Sequence, residues 1–251
     1  MLRDQAQQIG KGNYQPDPAL FTGAPDDIVL LSGDLNVLAL KMAERDRVSQ
    51  ALTHEVHHRV KNNLQIVTSL LSMQANKIAD PAAREALGQT RARMGALALI
   101  HRMLYEQNDD GAQGEINIAR LMNELCGQLR IVHRDYARVN FVCDAVAQTV
   151  PLDSAVPLTL LSVEAVTNAY RHAFPSGRSG RVTLHFSVSD GQAQLRVSDD
   201  GVGYDSKGDF KSMGHQLMTA FAHQLGGKLQ IESDAARGTS VTLSYPLAAA
   251  V

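Results

Sequence analysis

Between Asp34 and about Lys77 the chain carries neither proline nor glycine, and residues that favour helix dominate. Val56, Val60, Val67 and Leu71 recur near helical spacing and predict the face this helix turns to a neighbour. Asp80-Pro81 breaks the run. A helical pattern resumes over 82–107, tolerating Gly88 and Gly95, so two long helices joined by a short turn predict an αα-hairpin.

After the polar NDDGAQGE at 108–115 the texture changes. Patterning predicts helices over 116–132, 154–173 and 214–225, and strands over 139–145, 181–188, 192–199, 228–233 and 239–245. FPSGRSG reads as a loop, and the Gly-, Asp- and Lys-rich stretch 200–213 as a mobile one. Residues 1–33, broken by seven Gly and Pro residues, read as an irregular arm with IVLLS at 28–32 as one short apolar element. The expected fold class is α+β, a helical hairpin followed by an α/β sandwich. The expected divisions are 1–33, 34–110 and 111–251.

Composition narrows the function classes. Hydrophobic residues make up 44% and charged residues 20%, an ordinary globular balance. With 24 Lys+Arg against 26 Asp+Glu, no global charge favours nucleic acid or an anionic membrane. Aromatic residues are scarce at 5% and tryptophan is absent, which argues against a stacking platform for single strands. Cys126 and Cys143 show no metal-ligand spacing and read as reduced packing residues. No apolar run approaches the roughly 18 residues of a membrane helix. The N-terminal residues lack the apolar core of a secretory signal, so the expected location is the cytoplasm.

Two constellations carry chemistry. On the first helix, His54-Glu55-Val56-His57-His58-Arg59 clusters three histidines. His58 is two residues from both Val56 and Val60, so it is expected to point roughly 200° from them, toward solvent, with His57 flanking the seam. An exposed imidazole on a rigid helix suits a phosphoacceptor nucleophile. A plain solvated face is the competing reading, and a zinc pair at His54 and His58 a third.

On the helix at 154–173, Glu164, Asn168 and His172 recur every four residues and share a face. A carboxylate and an amide oxygen one turn apart can orient water and a hard cation such as magnesium, and Arg171 and His172 can meet phosphate oxygens. Asp199-Asp200-Gly201-Val202-Gly203 ends a strand, where a carboxylate can accept from an exocyclic amine and glycines permit a sharp turn. Gly214 opens a helix whose N–H groups can face phosphates, and Gly238-Thr239 opens a strand.

In this order, the motifs resemble the ATP-binding domain of the GHKL superfamily, which includes gyrase, Hsp90, histidine kinases and MutL. HHRVKNNLQIVTSLLSMQA is similar to the phosphoacceptor box of the HWE-related branch of bacterial sensor histidine kinases. The stretch from Arg93 to Tyr105 resembles that branch's second hairpin helix; EAVTNAYRHAF, DDGVG and GTSVTLSYPL resemble its N-box, G1 box and final strand. The resemblance covers about 50–247. It implies a GHKL-type sandwich after the hairpin and ATP with Mg2+ as cofactors. It implies autophosphorylation on His58, then transfer to an aspartate of a response regulator.

By the same resemblance, Asn168 matches the magnesium-binding asparagine and Glu164 the N-box acid that assists proton movement. Arg171 and His172 match phosphate-side positions. Asp199 matches the adenine-reading aspartate, Gly201 and Gly203 the G1 glycines, Gly214 a lid glycine and Thr239 a threonine near the adenine edge. Ser212 stands where many kinases carry glycine, and Arg59 replaces the common acid after the phosphorylated histidine, which leaves Glu55 or Glu164 as base for His58. Implied partners are a receiver domain, a second copy through the hairpin (monomers also occur in this branch) and an upstream sensor at the N-terminal helix. A non-catalytic phosphotransfer or docking module is the alternative. A GHKL serine kinase fits less well, because such proteins lack the hairpin.

Overall fold

The computed structural model describes residues 26–106, 115–133, 136, 138–204, 212–235 and 237–247; most of the expected 1–33 arm and 205–211 of the expected loop lie outside them. The chain divides into two compact units, residues 1–60 and 61–251.

Helix α1 spans Asp26–Lys77. It therefore begins before Asp34, and the IVLLS segment is helical. The reason is local: Gly33 costs only about 1 kcal/mol within a long helix, too little to end it. The predicted apolar seam is corrected in part: Val60 and Leu71 are partly covered as expected. Val56 is 55% exposed and Val67 is exposed, whereas Leu64, Thr68, Leu71 and Ser72 are partly covered and Ala75 is buried. The covered line contains two hydroxyl residues that valine counting overlooks. Thr68 and Ser72 donate to the Leu64 and Thr68 carbonyls one turn back, satisfying their hydroxyls inside the helix.

Helix α2 spans Pro81–Glu106. Its apolar face (Ala92, Ala96, Leu99, Ile100, Met103) joins the same buried cluster as the helices and sheet that follow. Strand β1 (Glu115–Asn117) leads into α3 (Ile118–Val132), capped by Asn117, whose side chain accepts from the Arg120 N–H. Then come β2 (Val139–Ala145), β3 (Thr149–Pro151) and α4 (Leu152–His172). A short 3-10 turn at Pro175–Gly177 precedes β4 (Gly180–Ser189) and β5 (Gln192–Asp199). Helix α5 (Met213–Gln224), β6 (Lys228–Asp234) and β7 (Gly238–Pro246) complete the layer.

The main sheet has the order β2-β4-β5-β7-β6, with β2 parallel to β4 and the other pairs antiparallel. The parallel pair requires a crossover, which runs through α4. Along β4, β5 and β7, Val182, Leu184, Phe186, Ala193, Leu195, Val197, Val241, Leu243 and Tyr245 alternate inward onto the buried cluster. The fold class is α+β, with helices laid on one face of the sheet. Strands β1 and β3 pair with each other and were not expected; three residues each are too few to show a period. Cys126 and Cys143 come together between α3 and β2, where hydrogen bonding to Cys126 holds the Cys143 thiol below its usual range and that of Cys126 is raised.

Candidate functional site

A cleft of about 400 Å³ opens between α4, α5 and the ends of β5, β6 and β7. Its size lies within the range of small-molecule sites. Asn168, Arg171, His172, Asp199, Gly203, Gly214 and Thr239 all line it. Gly201 is placed beside it, packed on Ala173 at the end of α4.

The Asp199 end is built by backbone. Asp199 Oδ1 accepts the N–H of Gly201 at 3.0 Å and that of Thr239 at 3.2 Å. Burial pushes the Asp199 carboxyl above its usual range, and those two N–H groups oppose the rise. Glycine is required at two points here. Gly203 has φ +60°, and a Cβ would run into the Asp234 carbonyl; Gly238 has φ +90°, and a Cβ would run into the Asp199 carbonyl. Ser233 Oγ and Thr239 Oγ1 lie 2.9 Å apart, and Ser233 Oγ also accepts the Tyr204 N–H.

Side chains build the opposite end. A Cβ on Gly214 would lie 3.5 Å from both Asn168 Nδ2 and Glu164 Oε2, so the start of α5 sits against the N-box face. Ser212 caps that helix by accepting the His215 N–H, which gives a physical role to the serine found where glycine is common. Burial holds the His172 imidazole below its usual range, with the Arg171 charge adding to the effect.

Glu164 and Arg171 are already engaged. Glu164 is 3% exposed, and Arg93 grips both its oxygens, Nε to Oε1 at 2.5 Å and an Nη to Oε2 at 3.0 Å. Arg171 pairs with Glu85 through two contacts, one at 2.6 Å. Sequence reasoning had passed over Arg93 as an ion-pair partner, and Glu85 and Gln89 altogether. Gln89 also lines the cleft. Glu85, Gln89 and Arg93 are spaced by four residues, as Glu164 and Asn168 are, and that matching spacing was a usable signal.

On α1, the side chains of His54, His57 and His58 lie outside the described residues. Glu55 pairs with Arg59 at 2.7 Å. Each carboxylate weighed as a base for His58 is therefore held by an arginine.

The donors suit a nucleotide with its cation. The cleft joins a half-buried carboxylate to an amide, a guanidinium and an imidazole. Among the described residues no group of three His, Cys, Asp or Glu side chains gathers to hold a metal. A magnesium ion held here would thus take phosphate oxygens and water together with Asn168.

Family comparisons agree in kind. Residues 55–133 match a family described as histidine kinase, and 153–249 one described as histidine kinase-, DNA gyrase B- and HSP90-like ATPase. The chain is 33% identical over 223 residues to the sensor histidine kinase PdtaS of Mycobacterium tuberculosis, covering 84% of this chain and 43% of that protein. It is 29% identical over 205 residues to blue-light-activated histidine kinase 2 of Erythrobacter litoralis, covering 77% of this chain and 56% of that one. The solved histidine kinase domain of a blue-light-activated kinase from Erythrobacter litoralis superposes with a TM-score of 0.58 at 26% identity, covering 77% of this chain and 92% of that domain. The chain spans less than half the length of its PdtaS relatives. No helix among the described residues is long and apolar enough to cross a membrane. The two family matches follow one another along one polypeptide, and the chain belongs to the histidine kinase family.

Proposed function

We propose that this protein is a cytoplasmic two-component sensor histidine kinase. It binds ATP with magnesium in the cleft, phosphorylates His58, and passes the phosphoryl group to an aspartate on the receiver domain of a response regulator. In this reading residues 34–110 act as the phosphoacceptor hairpin, pairing with a second copy, and 111–251 as the ATP-binding domain. A sensor or partner acts through the start of α1.

One observation carries the proposal: a single cleft has a hydrogen-bonded carboxylate at one end and cationic and amide side chains at the other. With Oδ1 occupied by two backbone donors, Asp199 Oδ2 accepts from the exocyclic amine of adenine. Thr239 stands at the same edge, and Gly201 and Gly203 let the turn pass beneath the base. Asn168 Oδ1 ligates magnesium, and Arg171, His172 and the N–H groups near Gly214 neutralise phosphate oxygens. Bound ATP supplies the γ-phosphoryl group. A His58 ring nitrogen attacks γ-phosphorus, the bond to the bridging oxygen breaks, and Glu164 assists removal of the imidazole proton. The choice of His58 rests on its place in HHRVKNNLQ, since exposed Val56 no longer anchors the facing argument.

Incubation with labelled ATP and magnesium, followed by acid and base treatment, tests the proposal. Label that is lost in acid, survives base and disappears in His58→Ala is the expected result. Label retained in His58→Ala and lost in His57→Ala would move the site, and absence of ATP binding would favour a docking module.

A further inference from the structure

We propose that α2 supplies positioning residues to the nucleotide site: Arg93 sets the orientation of Glu164, and Glu85 holds Arg171 until phosphate replaces it. The proposal rests on the reading of the cleft as an ATP site. Two stripes carry it. On α2, Glu85, Gln89 and Arg93 follow one another at four-residue spacing. On α4, Arg171, Asn168 and Glu164 follow in the opposite direction. The charges at the two ends are complementary: Glu85 meets Arg171, and Arg93 meets Glu164. Gln89 lies between them in sequence and lines the cleft with Asn168.

The Arg93 contact has the marks of a positioning device. Its guanidinium fork touches both oxygens of a carboxylate that is almost fully buried. A two-point contact fixes the carboxylate plane as well as its place. Hydrogen bonding to Glu164 raises the already high Arg93 pKa, so the fork stays charged. The carboxylate thus held lies against Gly214, where α5 begins. The Glu85–Arg171 pair is more exposed and weaker. It is suited to exchange, because a phosphate offers the same guanidinium a more highly charged bidentate partner.

Binding of a non-hydrolysable ATP analogue and the autophosphorylation rate at saturating ATP, per folded molecule, separate the two roles. Arg93→Lys keeps the charge and loses the fork. It is expected to lower the saturated rate roughly tenfold or more, because small misplacements in a reacting site are costly, while analogue affinity stays within about twofold of wild type. Arg93→Gln, which loses charge as well, is expected to be slower still. Glu85→Gln, at an exposed pair whose loss leaves the fold intact, is expected to tighten analogue binding by about two- to fivefold. A purely structural Arg93 would lower thermal stability in Arg93→Lys and leave the rate at its wild-type value, which overturns the positioning role. Unchanged affinity in Glu85→Gln overturns the exchange at Arg171, and this arm stands even if the Arg93 variants fail to fold. Wild-type protein that does not bind the analogue would instead refute the ATP reading itself.

Discussion

At the Asp199 end of the cleft the groups that set the geometry are backbone: two N–H donors on one carboxylate and two glycines pressed against carbonyls. At the Asn168 end they are side chains on α4, two of whose neighbours are held by α2. Strand β5 and the start of β7 are locked by sheet pairing, so the first end is expected to keep the same geometry with or without ligand, the ligand adding only protection from exchange. The second end depends on ion pairs and on the start of a helix, which can exchange partners without disturbing the sheet. The contrast fits the division of labour in the proposed reaction. A base is recognised by a fixed edge, whereas phosphates must be gripped and one of them handed on.

The largest effect should come from breaking the backbone end. Gly238→Ala or Gly203→Ala combines a left-handed backbone with a collision against a carbonyl. Each is expected to destabilise the protein by more than about 2 kcal/mol, read as a lowered denaturant midpoint. Behind the other end, His133 stacks on Tyr170 of α4 at 4.4 Å between centroids. Burial lowers its pKa from 6.5 to about 4, with Arg91 contributing. The folded state therefore refuses a proton that the unfolded chain accepts. Stability should be unaffected above pH 6.5 and should fall as pH drops from there toward 4, by up to about 3 kcal/mol. Denaturant titrations across this window should show the slope reduced in His133→Gln.

Asp199→Asn keeps the shape but presents the wrong group to an amine. It should weaken ATP-analogue binding by about 1.5–3 kcal/mol, roughly tenfold to more than a hundredfold, as measured by calorimetry. The smallest effect belongs to Ser212→Ala, which removes the α5 cap. A loss of about 1 kcal/mol is expected, with ATP binding affected more than binding of adenosine, because only the phosphate end is loosened.

Much of this contrast was legible before any coordinates. The glycines and Asp199 that make the backbone end announce themselves locally, and the strand at 192–199 follows its alternation to the residue. Asn168, His172 and Gly214 were legible from helical spacing and motif order. Arg93 and Glu85 were harder to read because their role is tertiary: their four-residue spacing matches that of Glu164 and Asn168, but spacing alone does not state that α4 will lie alongside. Half of the α1 seam, Val56 and Val67, was misread for a related reason. Its covered line uses Thr68 and Ser72, which count as polar until their hydroxyls are seen to bond within the helix. Strands β1 and β3 were too short to carry a pattern.

The central claim is that the two ends belong to one nucleotide site. Hydrogen exchange with and without a magnesium-loaded, non-hydrolysable ATP analogue tests it most directly. Added protection is predicted both at residues 197–204 and at the start of α5 around 212–217, with Asp199→Asn abolishing both at subsaturating analogue. Protection at neither segment, or at one alone while the analogue is bound, would contradict the account.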